Sequence, residues 1–422
     1  MSAQRSAPDI RSLNVTLHGV SVGVIVRTPG DFNAFNLSES YRKTPHPPIL
    51  SLSFRSADGS LRKDPKPQQG ILPPFFANLL PEDKLREAME KHHAGAVRPG
   101  NDFDLLEALG ADLPGAVVVS PGDGKAVVPP PAASKGKARF SLAGVQMKLS
   151  VMKNAGKEGG ITLPVGDTDG DYIAKFPSIN HIGLSENEFA ILALSEALGM
   201  DVPERELVDK EEFEGIPEEF NTLSTGQVLL VKRFDRTQAG RIHIEDFAQV
   251  FGVQPNRKYA GGSYHNIADV LNTAVSFDAA IEFVRRLALA AIIGNGDMHL
   301  KNWSVIYPGD GTKPALAPVY DVLSSIAYLP GDGMALSLGG EKSFKALTPD
   351  RWRNFANRSR LPDGAVKSAV LETVAAVHDR WWTLPERDVV PMSVLERIDA
   401  HVATMAPILD PAFTATPISR QT

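Results

Sequence analysis

The stretch Asp297-Met298-His299-Leu300-Lys301-Asn302 sets an aspartate five positions ahead of an asparagine. That spacing occurs in the catalytic loop of kinases, where the aspartate orients the attacking hydroxyl and the asparagine holds magnesium. Downstream, the apolar segment Leu316-Ala317-Pro318-Val319-Tyr320 delivers Asp321 after a hairpin, about where kinases set their second metal-binding aspartate. Two carboxylates and one amide are what phosphoryl transfer to an alcohol needs.

Upstream, Lys175 in Asp171-Tyr172-Ile173-Ala174-Lys175-Phe176 ends a strand-like run, the position from which a kinase lysine clamps nucleotide phosphates. Glu188, with Glu186 as the alternative, opens the following helix and suits the glutamate that steadies such a lysine. Ser141-Leu142-Ala143-Gly144-Val145-Gln146-Met147-Lys148 has one glycine among small residues, so the amides of Ala143, Gly144, Val145 and Gln146 can approach phosphate oxygens from a turn. It is no Gly-x-Gly-x-x-Gly loop, and the chain contains no Gly-Lys-Ser/Thr of a P-loop. Val228 to Asp235 reads as a buried strand running into a charged turn, where a kinase hinge offers backbone groups to adenine. Singly, Lys175 is also a surface lysine and Asp297 and Asn302 are also turn residues. The ordered set Lys175, Glu188, Asp297, Asn302, Asp321 is what accident does not readily produce. His299 has no second histidine at helical spacing and no cysteine beside it, so a hydrogen bond to phosphate or loop backbone suits it better than a metal. The adjacent Trp381 and Trp382 cannot share one helix face and read as packing.

With 422 residues, 43% hydrophobic and 22% charged, the composition is that of a globular protein with substantial cores, and a net charge of −6 argues against bulk electrostatic binding of nucleic acid. The absence of cysteine excludes disulfides and thiolate chemistry, and with no signal-like start or membrane-length apolar run a cytoplasmic location is expected, away from membranes.

Alternation over Leu13–Ile25 around His18-Gly19, and again over Ile49–Phe54, predicts a small antiparallel sheet; Pro73–Lys91 and the segment from Asp102 to Gly110 read as helices, followed by a strand at Gly115–Val119. A stretch rich in proline, glycine and lysine between Pro121 and Lys137 reads as a linker. Strands are expected at Gln146–Met152, Tyr172–Phe176 and Val228–Phe234, and helices at Ser185–Leu198, Phe277–Ile293, Ala365–Trp382 and Ser393–Met405. The expected fold is α+β and two-lobed like a protein kinase. Its divisions are an N-terminal subdomain (1–120), a linker (121–137), a nucleotide-binding part (138–236) and a helical lobe with the catalytic loop and metal site (237–422).

At these residues the chain resembles the HipA serine/threonine kinases, the toxin halves of bacterial toxin–antitoxin pairs. Further carriers of the resemblance are Asn78-Leu79-Leu80-Pro81, Phe103-Asp104-Leu105-Leu106, Glu186-Asn187-Glu188, Val231-Lys232-Arg233-Phe234-Asp235-Arg236, Glu245-Asp246 with Gln249, and Tyr320-Asp321. The resemblance implies that Asp297 is the catalytic base or hydroxyl-orienting group, that Asn302 and Asp321 bind Mg²⁺, and that Lys175 and His299 contact ATP phosphates. It implies an adenine-binding hinge at Lys232 and Phe234, Asp235 near the ribose, and Ser141 as an autophosphorylated serine whose modification ejects the glycine-containing loop. A phosphoserine carries roughly −1.5 to −2 charges and repels ATP phosphates, so modification would inactivate. Met147 and Lys232 depart from what many relatives carry there.

Family substrates include aminoacyl-tRNA synthetases, and the family's partner is a HipB-like helix-turn-helix antitoxin through which any DNA contact is expected. Two rivals share the fold: a catalytically quiet antitoxin partner or corepressor, and a small-molecule kinase.

Overall fold

The computed structural model describes residues 11–122, 146, 148–153, 161–162, 170–178, 180–214 and 226–413. Ser141, Ala143, Gly144 and Val145 lie outside them, as does most of the expected linker.

The first sheet is antiparallel, in the order β4-β3-β2-β1-β5, from β1 (Arg11–Leu17), β2 (Val20–Thr28), β3 (Phe32–Leu37), β4 (Gln68–Gln69) and β5 (Val117–Pro121). Leu13, Val15 and Leu17 alternate inward and are fully buried, the signature of a sheet with one face on a core. His18 and Gly19, both with positive φ, make the tight turn from β1 to β2. The expected strand at Ile49–Phe54 is instead a coil ending in the 3₁₀ turn Leu52–Phe54. Side chains claim its backbone there: Ser51 Oγ accepts from the Ser53 amide at 3.0 Å, and a Glu245 carboxylate oxygen accepts from Leu52 at 2.9 Å. The helical expectation for Pro73–Lys91 holds at both ends, Pro74–Ala77 and Asp83–His92, but breaks between them at Asn78–Glu82.

A second sheet runs β10-β7-β6-β8-β11-β9, where β6 is Lys148–Lys153, β7 Ile161–Thr162, β8 Tyr172–Lys175, β9 Arg205–Val208, β10 Phe213–Glu214 and β11 Val228–Lys232. The helix Leu184–Ala197 packs against it and is buried nearly all round, polar Ser185, Glu186, Asn187 and Glu188 included. Those polar groups are served individually: Asn187, for example, accepts from the amide of Ser324 and donates to its carbonyl, both at 3.0 Å.

The remaining lobe is mainly helical, built around Phe277–Ile293, Pro349–Ser359, Asp363–Trp381 and Met392–Leu409. Trp381 is fully buried and Trp382 only partly, and the Arg387 guanidinium spans both rings at 5.2 and 5.3 Å. The helical character gives way near the site to a three-stranded sheet of His243–Asp246, Ser304–Tyr307 and Ala315–Leu316, the last two forming the hairpin ahead of Asp321. No helix among the described residues is long and apolar enough to cross a membrane.

Candidate active site

The helix Phe277–Ile293 stops at Gly294, whose φ of 70° is left-handed. A Cβ there would lie 2.4 Å from Ile326 and 2.9 Å from His401, so the turn out of the helix requires glycine. Asp297 follows on the loop, its amide donating to Asn295 Oδ1 at 3.0 Å. Asn302 Nδ2 donates to the carbonyl of Asp297 at 2.8 Å, so the two motif residues are tied through the backbone. The Asp297 side chain is 54% exposed. Its Oδ1 accepts from the hydroxyl of Tyr259 at 2.5 Å.

Lys148 and Lys175 face each other across β6 and β8, a pairing that like charges oppose. Two carboxylates offset it. Lys175 Nζ donates to Glu188 Oε1 and to Asp321 Oδ1, and Lys148 Nζ donates to both oxygens of Asp321 at 2.9 Å. The lysines are 5% and 4% exposed and Glu188 1%, so this is a buried cluster of two lysines and two carboxyl groups, in which burial raises Glu188. Burial disfavours the Lys175 ammonium, but Asp321 and Glu188 outweigh it and hold the group above the usual lysine range. Burial does prevail at Lys148, whose ammonium is held below that range. Asp321 sits at a φ of 51°, a left-handed conformation that aspartate tolerates better than most residues.

Between the lobes lies a cleft with about 1090 Å³ of open space, its mouth included. Lys175, Glu188, Lys232, Phe234, Asp235, His299, Asn302 and Asp321 all line it, so eight of the residues singled out from sequence meet there. Ile173, Leu192 and Val231 add apolar wall, which suits a flat heterocycle. Phe234 leans on Tyr320 with ring centres 5.7 Å apart. Asp297 stands on the exposed side of the loop rather than in the lining. Gln146 is also outside the lining, its amide donating to the Phe176 carbonyl at 2.8 Å and to Ser185 Oγ at 3.1 Å.

His299 is 6% exposed, and burial, helped by Lys258 and Lys301 and opposed by Asp297, holds its ring down to about 4. The imidazole is therefore neutral near pH 7, and among the described residues its Nδ1 has no hydrogen-bond partner. That nitrogen is buried, and the residue as a whole lines the cleft.

Asp235 lines the cleft, and its carboxylate is engaged by neighbouring protein groups. Its Oδ1 accepts from Arg233 Nε at 2.9 Å, and its Oδ2 from Arg233 Nη2, Arg236 Nη1 and the Gly115 amide at 2.8, 2.9 and 2.8 Å. Burial would raise this carboxyl, but the two guanidinium groups hold it well below the usual range. Arg236 also donates to Asp112 at 2.9 Å, completing a knot between the first sheet's region and the hinge.

Sequence reasoning missed Lys148 as a site residue, although it ends the quoted glycine-containing motif. Its strand opposition to Lys175 is the signal that points to it. It also missed Tyr259, and Glu82, whose carboxylate accepts from Lys258 at 2.8 Å and from Lys301 on the Asp297–Asn302 loop at 2.5 Å.

Residues 13–120 match the family model of the HipA N-terminal domain, and residues 140–381 that of the HipA-like C-terminal domain. The Sinorhizobium fredii protein Y4dM is 42% identical over 406 residues, covering 94% of this chain and 98% of the relative. Y4mE of the same organism is 30% identical over 388 residues, covering 83% and 86%. Both names carry the word kinase. The serine/threonine-protein kinase toxin HipA of Shewanella oneidensis is 29% identical over 298 residues, covering 60% of this chain and 63% of that protein. Among solved structures, the complex of Shewanella oneidensis HipA, HipB and operator DNA matches with a TM-score of 0.71 at 22% identity, over 94% of this chain and 97% of that one. That likeness gives the architecture: a two-lobed, kinase-like α+β fold. With both domain models matched and a 42% identical relative aligned along nearly its whole length, the chain belongs to the HipA family.

Proposed function

We propose that this chain is an ATP- and Mg²⁺-dependent protein serine/threonine kinase and the toxin of a HipA/HipB-type toxin–antitoxin pair. The observation that carries the reading is the meeting of Lys175, Glu188 and Asp321 in one cleft with Asn302, on the loop that presents Asp297 at its edge. The adenine lies against Ile173, Val231 and Phe234, and the phosphates reach toward Lys175 and His299. Asp297 accepts the proton of an incoming alcohol; the alcohol oxygen bonds to the terminal phosphorus as the bond from phosphorus to the bridging oxygen of ADP breaks.

The donor set suits Mg²⁺, because Asp321 and Asn302 offer hard oxygens and this ion is commonly held by one or two side chains plus substrate phosphates. When bound, it supplies neutralisation of charge on the transferring group.

The acceptor is a serine or threonine of a translation component such as an aminoacyl-tRNA synthetase, and Ser141 is the autophosphorylation site that shuts the enzyme down. A HipB-like helix-turn-helix antitoxin is the partner, supported by the HipA–HipB–DNA assembly of the structural relative, and any contact with DNA runs through it. The test is incubation of purified protein with labelled ATP and Mg²⁺ beside a cell lysate. Label is expected on Ser141 and on a lysate protein, and absent with Asp297→Gln. Equal labelling by both, or label on metabolites alone, refutes the reading.

A further inference from the structure

The hydroxyl of Tyr259 donates to Asp297 Oδ1 across 2.5 Å. Under the kinase reading, which this inference rests on, a substrate alcohol makes that same hydrogen bond immediately before transfer. The phenol therefore holds the place of an acceptor hydroxyl. Burial and the neighbouring Asp297 charge hold its proton far above the ordinary phenol range, so it remains a donor at every physiological pH.

The backbone around Tyr259 is fixed. The Lys258 carbonyl accepts from the amide of Leu300 on the catalytic loop at 3.3 Å, the Lys258 ammonium donates to Glu82 at 2.8 Å, and the Gly261 amide donates to Arg257 at 2.8 Å. The side chain is another matter, being 45% exposed and resting edge-on against His299 with ring centres 4.9 Å apart. Besides the His299 contact and the Lys258 ammonium 5.7 Å from its centre, the ring is held by its bond to Asp297, so a ring turned out toward solvent would leave Asp297 Oδ1 without this donor.

We propose that Tyr259 is an internal occupant of the acceptor position, a built-in competitor that an incoming serine or threonine hydroxyl, or water, displaces from Asp297. Its role is to discriminate: a protein segment that docks well enough to turn the ring out is phosphorylated, and water is kept from wasting ATP.

The experiment uses the full chain with ATP and Mg²⁺ and two acceptors, water and dephosphorylated casein, comparing wild type with Tyr259→Phe and Asp297→Asn. A hydrogen bond to a charged group is worth a factor of about ten or more. Tyr259→Phe is accordingly expected to release phosphate to water about tenfold faster and to lower the KM for casein by a similar factor, with kcat for casein unchanged. Unchanged or slower release, or a fall in kcat at constant KM, overturns the proposal and makes Tyr259 a support for Asp297. Phosphate recovered on Tyr259 itself also overturns it, since the residue is then an acceptor. If wild type and Asp297→Asn transfer phosphate equally to both acceptors, the kinase reading falls and this proposal with it, a result distinct from an Asp297-dependent enzyme that ignores Tyr259→Phe.

Discussion

Lys148 and Asp321, 173 positions apart in sequence, meet with the ammonium 2.9 Å from both carboxylate oxygens. The fold thus sets two lysines on one aspartate, where a single strand lysine was expected. Lys148→Met keeps the buried stem and removes the charge, and Lys175 stays on Asp321, so the fold should persist. If Lys148 helps to receive phosphate charge, the substitution lowers kcat/KM for ATP by about 10² to 10³, the usual loss of one preorganised electrostatic group. A value within twofold of wild type would show that Lys148 is only structural.

Asp297→Asn should separate chemistry from folding. The side chain is 54% exposed, takes a hydrogen bond from Tyr259 and lies 4.0 Å from His299 Nε2, so the melting temperature should move little. Phosphate transfer should fall by about 10² to 10⁴ with nucleotide binding intact. Calorimetric ATP titration beside single-turnover transfer checks both halves, and lost binding would contradict a role confined to the acceptor.

Glu245 makes stability depend on pH. It is fully buried, and burial pushes its carboxyl up to about 7 from 4.5, against hydrogen bonds from Ser51, Tyr307 and the Leu52 amide. The folded chain therefore binds a proton that the unfolded chain has already lost between these values. The contribution is fully present below about 4.5 and lost as pH rises to about 7, a difference on the order of 3 kcal/mol. Asp246, raised by burial to about 6, titrates in an overlapping range, so the variant difference is the readout. Glu245→Gln should be more stable than wild type at pH 8 and should lose that advantage at pH 5 in urea melts; a gap that is the same at both values refutes the assignment.

Glu82 ties the N-terminal region to Lys258 and to Lys301 on the Asp297–Asn302 loop. Burial would raise its carboxyl, yet the two lysines outweigh it and hold it below 4.5, so its stabilisation is present above that value and fades as pH falls. Glu82→Gln should cost about 1–2 kcal/mol at pH 7 and reduce kcat, because two loop cations lose their anchor. Identical melting and turnover would make the bridge ornamental.

Much of the candidate site was legible because most of the residues that meet in the cleft keep short spacings along the chain. Asp297, Asn302 and Asp321 are close in sequence, and Lys175 and Glu188 are separated by a single strand-to-helix passage. Long helices were legible for a similar reason: apolar periodicity and the glycine stop gave Phe277–Ile293 directly. What escaped was decided by tertiary partners. Nothing local to Asp235 announces that Arg236, Arg233 and the Gly115 amide saturate it, and nothing local to Tyr259 announces Asp297. The Ile49–Phe54 segment alternates like a strand, but its amides are taken by Ser51 and by Glu245 from far along the chain.

The knot of Asp112, Arg233, Asp235 and Arg236 bears on any attempt to trim this protein to a minimal enzyme. Cutting away the first 120 residues would take Asp112 and the Gly115 amide with them, leaving two guanidinium groups in the hinge to share one carboxylate. The front segment thus supplies both a stretch of the cleft wall, at Asn78, Leu79, Leu80 and Pro114, and the carboxylate that braces Arg236, so a truncated version would lose wall and brace together.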